Sequence, residues 1–263
     1  MANYDILGNI SIVKFDRKAG KKEKKRFAEK LMRQYPGVKI VLEKSGKFSG
    51  RLRTPETRFV LGEKTKEGLY KENDCSFRFN VDSCYFSSRL ASERKEIASY
   101  AKKGEKVLVM FGGVAPFAIV IAKHSSAEKV ISIELGRECN RYALDNIKRN
   151  KLIDKVEIIQ GDVRKICPKL RKKMKTEKDK FERIVMARPN LKDSFLDVAL
   201  PLAKKNGIIH YYGFYEENKV NDLRTLIMDE AGKAGKRIKI IRIKKAGDIG
   251  VRKFRYRADI KIL

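Results

Sequence analysis

From Tyr4 to Phe15 apolar residues alternate with polar ones around Gly8, the period expected of one or two half-buried strands. Between Lys18 and Tyr35 the spacing changes to helical, with Phe27, Ala28, Leu31 and Met32 on one face and the lysines on the other. Val38 to Leu42 returns to strand, and Ser45 to Gly50 is rich in glycine and serine and reads as a loop. Thr57 to Leu61, Ser76 to Val81 and Ser83 to Phe86 follow as strand candidates, with a turn at Gly62. This first part, residues 1–80, is expected to be a small α+β domain.

Beyond it, over 81–263, the two periods alternate. A helix is expected from Ser92 to Lys102, with Ser92 as N-cap. Then come strand 107–111, helix 116–124, strand 130–134, helix 137–150, strand 156–160, helix 163–174, strand 182–186, helix 192–203, strand 207–212 and helix 217–234. Two final strands, 237–243 and 254–262, are joined through Gly247 and Gly250. Strands separated by single helices pair in parallel and bury both faces, so the fold class is α/β, with the last two strands as an antiparallel edge.

The candidate chemistry sits where the strand Val107–Met110 meets Phe111-Gly112-Gly113-Val114-Ala115-Pro116-Phe117. Glycine reaches positive φ without penalty, and proline suits the first turn of a helix. About 20 residues on, the next strand ends in Glu134, the interval at which nucleotide-binding α/β folds bring a carboxylate to ribose hydroxyls. The turn lacks the G-x-G-x-x-G fingerprint and no Walker lysine follows it, which disfavours NAD and ATP. A ribose-binding turn with no grip on phosphate fits S-adenosyl-L-methionine; the plainer alternative is an ordinary strand-to-helix turn.

Charge adds a partner to this picture. The chain has 263 residues, 42% of them apolar, and 62 Lys plus Arg against 33 Asp plus Glu, a net charge of +29. That excess exceeds what solubility needs and points to a polyanion, with nucleic acid foremost. Basic residues concentrate in Arg164–Lys180 and Lys233–Lys261, although a charge run by itself is usually a solvated face. There is no long apolar run, signal peptide or basic amphipathic anchor, so no membrane association is expected and the cytoplasm is the expected compartment. Cys75, Cys84, Cys139 and Cys167 are scattered without a C-x-x-C pair, and His124 and His210 lie far apart. Buried free thiols and no metal site are the expectation.

Four stretches carry a family resemblance: Gly50-Arg51-Leu52-Arg53 leading to Leu61-Gly62-Glu63; Tyr70-Lys71-Glu72-Asn73 leading to Val81-Asp82; Tyr85-Phe86-Ser87-Ser88-Arg89-Leu90-Ala91-Ser92-Glu93-Arg94; and Met110 to Phe117. In combination, over nearly the whole chain, they resemble the archaeal and eukaryotic tRNA (guanine-37, N1) methyltransferases and their relatives, the wybutosine-pathway aminocarboxypropyl transferases. The resemblance implies a class I SAM-dependent methyltransferase (Rossmann-like) domain behind a small RNA-facing domain, with tRNA as partner; a monomer is expected. It further implies Glu93 as the base for the guanine N1 proton and Arg53 as the cation at O6, with Arg89, Arg94, Arg188, Pro189 and Asn190 around the substrate. For the cofactor it implies Phe111, Gly113 and Phe117 at the turn, Val114, Ala115 and Pro116 beside the methionine part, Glu134 on the ribose and Asp162 on the adenine amino group.

The chemistry is consistent with those roles, because guanine N1–H is a weak acid that a carboxylate can relieve of its proton while a guanidinium stabilises charge on O6. Read without the resemblance, Glu93 and Arg94 are a first-turn acid and a surface arginine, and Asp162 is a helix cap. The sequence departs from the family at Val109, where aspartate is usual, at Ala115, where glycine is usual, and at Ala187, where an asparagine is expected. Three readings follow: guanine N1 methylation, aminocarboxypropyl transfer from the same cofactor, and an RNA-binding protein that has lost catalysis.

Overall fold

The computed structural model describes residues 3–46 and 56–263. Its first part is a four-stranded sheet in the order β1 (Asn3–Leu7), β2 (Ile10–Lys14), β3 (Ile40–Lys44), β4 (Thr57–Gly62). The helix α1 (Lys21–Gln34) makes the crossover between the parallel strands β2 and β3. Period-two alternation gives this sheet two apolar faces. Val13 and Val41 join Ala28 and Leu31 under α1, whereas Ile10, Ile40 and Leu42 face the other way, into the core of the larger part.

A hairpin of β5 (Glu67–Glu72) and β6 (Cys75–Asn80) follows. Asn73 and Asp74 have φ of 46° and 53°, the paired positive values of a type I′ turn whose twist matches the strands it joins. The sequence reading found β6 and missed β5. The strand expected at Ser83–Phe86 does not form, because the chain turns there, with Cys84 N donating to the Asn80 carbonyl at 2.9 Å. Phe77 and Phe79 are buried with the helices of the larger part, and Phe86 stacks on Phe79 at 4.7 Å. Two asparagines of α4 (Arg137–Arg149) and its C-cap imitate a neighbouring strand along β6. Asn146 exchanges hydrogen bonds with both backbone groups of Arg78 and Asn150 with those of Ser76.

The main sheet is seven-stranded, in the order β12 (Ile238–Gly250), β13 (Lys253–Ile262), β11 (Ala203–Glu216), β10 (Phe181–Met186), β7 (Lys106–Met110), β8 (Lys129–Glu134), β9 (Val156–Gln160). β9, β8, β7, β10 and β11 run parallel, and β13 pairs antiparallel with both β11 and β12. This is the class I methyltransferase arrangement expected from the sequence. α2 (Ala91–Tyr100), α3 (Pro116–His124) and α4 cover one face. α5 (Val163–Lys173), α6 (Leu196–Ala199) and α7 (Val220–Lys233) cover the other. Strand order reverses between β7 and β10, so the turn after β7 lies at the switch point where open α/β sheets bind ligands.

Three local expectations are corrected. Ser92 caps nothing, because a 3-10 turn over Ser88–Leu90 runs straight into α2. The helix expected over 192–203 is reduced to α6 plus a 3-10 turn: Phe195 enters in the left-handed region at φ 59°, and Pro201 removes an N–H from the continuation. The final hairpin turns at Val251-Arg252 rather than at the glycines, which lie within irregularities of β12.

Charges fasten α2 to the antiparallel edge. The Arg257 guanidinium is fully buried. It donates to Glu93 Oε2 at 2.6 Å, Glu96 Oε1 at 2.8 Å and Asp259 Oδ1 at 2.9 Å. Tyr212 O–H donates to the same Glu93 oxygen at 2.9 Å, and Lys244 Nζ lies 2.8 Å from the other. Arg183 Nη1 lies 2.7 Å from His210 Nε2 and pairs with Glu105, while His210 Nδ1 lies 2.7 Å from Asp259. An arginine can only donate, so Nε2 is the bare nitrogen and Nδ1–H points to Asp259. Burial opposes ionisation of Glu96 and Asp259, yet hydrogen bonds from the surrounding donors outweigh it, holding Glu96 well below the usual carboxylate range and Asp259 at about 2.

Two outcomes are expected. Arg257→Met takes the buried guanidinium away from Glu93, Glu96 and Asp259, which Lys244 and Arg242 compensate only from the more exposed side, and should cost roughly 3–5 kcal/mol of stability, read from urea midpoints. Burial lowers the His210 pKa, only partly offset by Asp259, so the folded state binds fewer protons than the unfolded chain. The stability this contributes is present above the unfolded value of about 6.5 and diminishes as pH falls through it. The melting temperature should therefore drop from pH 7.5 to 5.5, and His210→Asn should flatten that drop.

Candidate active site

The turn after β7 is built from alternating left-handed residues, with φ of 62° at Phe111, 56° at Gly113 and 66° at Ala115. Each non-glycine residue held this way costs about 1–3 kcal/mol and persists only where its surroundings over-determine it. Phe111 is held edge-on against Phe195 at 5.0 Å, and Ala115 is buried as the N-cap of α3. Gly112 is required by close packing, since a Cβ there would lie 2.0 Å from Ser132 Oγ.

Glu134 ends β8 beside this turn. Its Oε2 accepts from Gly113 N at 2.8 Å and its Oε1 from Gly136 N at 2.7 Å. Two backbone amides thus fix the carboxylate plane while leaving lone pairs on both oxygens for further donors. Gly161 N donates to the Glu134 carbonyl at 2.8 Å, which sets the end of β9 level with it. Asp162 then caps α5, accepting from Arg164 N at 2.9 Å. Carboxylates at the ends of neighbouring strands make this edge a poor place for phosphate and a suitable one for hydroxyls and amino groups. The residues present therefore fit S-adenosyl-L-methionine: Glu134 can accept from a ribose, and Asp162 from an adenine amino group.

The other turn residues divide by exposure. Phe111, Gly113 and Pro116 keep accessible surface, whereas Val114, Ala115 and Phe117 are buried. Phe117 turns toward Tyr212 at 5.9 Å and lies under the Arg94 guanidinium at 5.7 Å, so it supports the turn from within the core. Val109 is likewise fully buried among apolar neighbours.

The residues expected around the substrate are spread over several environments. Glu93 is buried and held by Arg257, Tyr212 and Lys244, as described above. Arg94 is 1% exposed. It forks onto Glu72, with Nη2 at 2.6 Å, and also donates to the Ser87 carbonyl at 2.8 Å, tying the β5–β6 hairpin to α2. Arg89 is exposed, 3.3 Å from Asp5. Arg53 lies outside the described residues. Arg188 is buried over the Tyr211 ring at 5.4 Å and donates to the carbonyls of Leu191 and Asp193, so it pins the loop on which Pro189 and exposed Asn190 stand. Ala187, half-buried at the start of that loop, has no polar group to offer a base.

Sequence reasoning missed the groups that surround Glu93, because Tyr212, Lys244 and Arg257 are more than a hundred residues away along the chain. The basic runs also proved heterogeneous. Arg164 is forked onto Asp193 and also reaches Asp197, and those contacts raise its pKa. The rest of that run follows α5 away from the turn, to a cleft of about 300 Å³ lined by Lys106, Lys129 and Lys173 at the N-terminal ends of β7 and β8. In the second run, Arg242, Lys244 and Arg257 serve the buried network, and Lys245, Arg252 and Lys253 remain outward. Among the described residues no cluster of metal-ligating side chains occurs, and no helix is long and apolar enough to cross a membrane.

A family model for the TRM5/TYW2 methyltransferase domain matches residues 68–246, and one for the TYW2 N-terminal domain matches residues 1–65. The chain is 32% identical to the tRNA (guanine(37)-N(1))/4-demethylwyosine(37)-methyltransferase Taw22 of Nanoarchaeum equitans, over 99% of this chain and 100% of that protein. It is 35% identical to the tRNA (guanine(37)-N(1))-methyltransferase Trm5b of Pyrococcus abyssi, over 82% of this chain and 61% of that one. The crystal structure of Pyrococcus abyssi Trm5b superposes with a TM-score of 0.83 at 30% identity, covering 99% of this chain and 74% of that chain.

Proposed function

The chain belongs to the TRM5/TYW2 methyltransferase family, and on that premise we propose that it transfers a methyl group to N1 of guanine 37 in tRNA. S-adenosyl-L-methionine supplies the methyl group as an electrophile. Support for methyl transfer comes from the relatives named above, both methyltransferases, one of them matched over its full length.

The observation that carries the reading is the position of Glu93. Met110, Met186 and Tyr211 stand abreast in β7, β10 and β11, so the Tyr212 backbone is level with the first residue of the turn; its ring lies 5.9 Å from that of Phe117, and its hydroxyl donates to Glu93. Oε2 is occupied by Tyr212 and Arg257. Oε1 faces Lys244, whose side chain is 31% exposed and the most displaceable of the partners. In the proposed step Lys244 gives way, Oε1 accepts the N1 proton, and Arg257 keeps the carboxylate in place. Arg53 is the proposed cation at O6, and Pro189 and Asn190 the proposed contacts to the base. Glu134 and Asp162 hold the cofactor by its ribose and adenine.

Glu93→Gln keeps the size and one acceptor oxygen for Arg257 and Tyr212, loses the acceptor facing Lys244, and cannot take a proton, so single-turnover methyl transfer should fall about a hundredfold to ten-thousandfold, with cofactor and tRNA affinities retained. A rate within a few-fold of wild type would remove Glu93 as the base. A product nucleoside carrying the mass of an aminocarboxypropyl group would overturn methyl transfer itself. Glu134→Ala removes a charged acceptor and should weaken cofactor binding by roughly 1.5–3 kcal/mol in calorimetry, leaving tRNA binding intact. A wild-type protein that binds tRNA without binding the cofactor would instead be the RNA-binding protein of the third reading.

A further inference from the structure

We infer that a recess above the turn, about 200 Å³ in volume, is a subsite for an unstacked nucleotide flanking the target base; this rests on the tRNA reading above. β11 does not stop where its parallel neighbours do. It continues from Tyr211 to Glu216, five residues past the level of Met110, a rise of roughly 16 Å. The β12–β13 hairpin rises with it, with Tyr215 opposite Phe254 and Glu216 opposite Lys253. The three strands form a wall over the mouth of the site, and stacked nucleotides advance about 3.4 Å each. The recess is therefore within a few nucleotides of the base being modified.

Its lining has the chemistry of a single-stranded RNA contact. Tyr215 offers a half-buried aromatic ring, Phe214 lies under the Arg255 guanidinium at 5.3 Å, and Ile249 closes the apolar side. Lys219 and Lys253 stand at the rim, each held near Glu216, at 3.5 Å and 3.4 Å. Asn190, proposed above for the target base, also lines the recess from the loop that Arg188 pins and is shared between the two nucleotides. Bases stack on aromatic faces whatever their identity, phosphates meet lysines, and an amide beside a carboxylate can take the donors and acceptors of a base edge. Outside the recess, exposed Arg252 at the hairpin tip adds positive charge, while Lys245 is paired with Glu217. Val251, 93% exposed at the tip, is an apolar end free to lie against an unpaired base.

The test uses the full chain and an anticodon stem-loop RNA, with affinity read by fluorescence anisotropy. Single abasic sites are placed in turn on either side of the target guanine. One abasic position should weaken binding to wild type by about 5- to 150-fold, the range for loss of one stacked base. The same abasic RNA should bind Tyr215→Ala no worse than the intact RNA does. Tyr215→Leu guards against a folding artefact: with melting temperature and cofactor affinity unchanged, it should lose the same response. If abasic RNAs weaken Tyr215→Ala and Tyr215→Leu as much as wild type, the subsite is overturned while the tRNA reading stands. If wild type binds no stem-loop RNA at all, the tRNA reading itself fails and the subsite with it.

Discussion

A guanidinium with no access to water holds α2 against the antiparallel edge of the main sheet. Arg257 takes three carboxylates from two elements, Glu93 and Glu96 of α2 and Asp259 of its own strand. None of these groups could be buried alone, because an isolated charge in an apolar interior is too costly to keep. Arg183, Arg242, Lys244 and Arg257 face Glu93, Glu96, Glu105 and Asp259, which leaves His210 neutral between Arg183 and Asp259. The network gives α2 one position against the edge strands, and the Glu93 carboxylate one position between Arg257, Tyr212 and Lys244. A nonpolar contact of the same area would stabilise the helix without fixing a carboxylate at a defined place.

The turn depends on a different balance. Its left-handed residues at Phe111 and Ala115 are unfavourable by themselves, and packing from both faces of the sheet compensates. Phe195 presses on Phe111 from the face of α5, α6 and α7, and Phe117 sits in the core of the face of α2, α3 and α4. With the backbone so held, Gly113 N points at Glu134 and the carboxylate is oriented before any ligand arrives. Preorganisation of this kind lowers the ordering cost at binding. The alanine at position 115 keeps the left-handed cap at some expense in stability and adds no polar group.

Positive charge is divided between inside and outside. Four arginines, Arg94, Arg164, Arg183 and Arg257, are engaged with carboxylates of the same chain. Arginine suits those places because its planar fork meets two oxygens at once and stays charged when buried. Lysines dominate what remains outward, on α1, on α5 and along the β12–β13 hairpin. A net charge of +29 therefore overstates the surface available to a polyanion at any one place.

By itself the sequence determined the alternation of strands and helices, the antiparallel edge, the turn at Gly112-Gly113 and the carboxylate at Glu134, because each is a local matter of period, turn chemistry or short spacing. It also carried the family in motifs a few residues long. The β5 strand escaped because its signal was a two-residue Asn73-Asp74 turn between partly polar strands, and the helix over 192–203 failed because apolar spacing continued past a proline. Only the tertiary structure decided which charged residues meet. Glu93 and Arg257 are 164 positions apart, and no local period records that a strand of the antiparallel edge will deliver a guanidinium to the first turn of α2. The same holds for Asn146 and Asn150, helical residues in the sequence that the fold uses as an edge strand. Long-range pairing of polar groups follows from burial, and burial is a property of the packed chain.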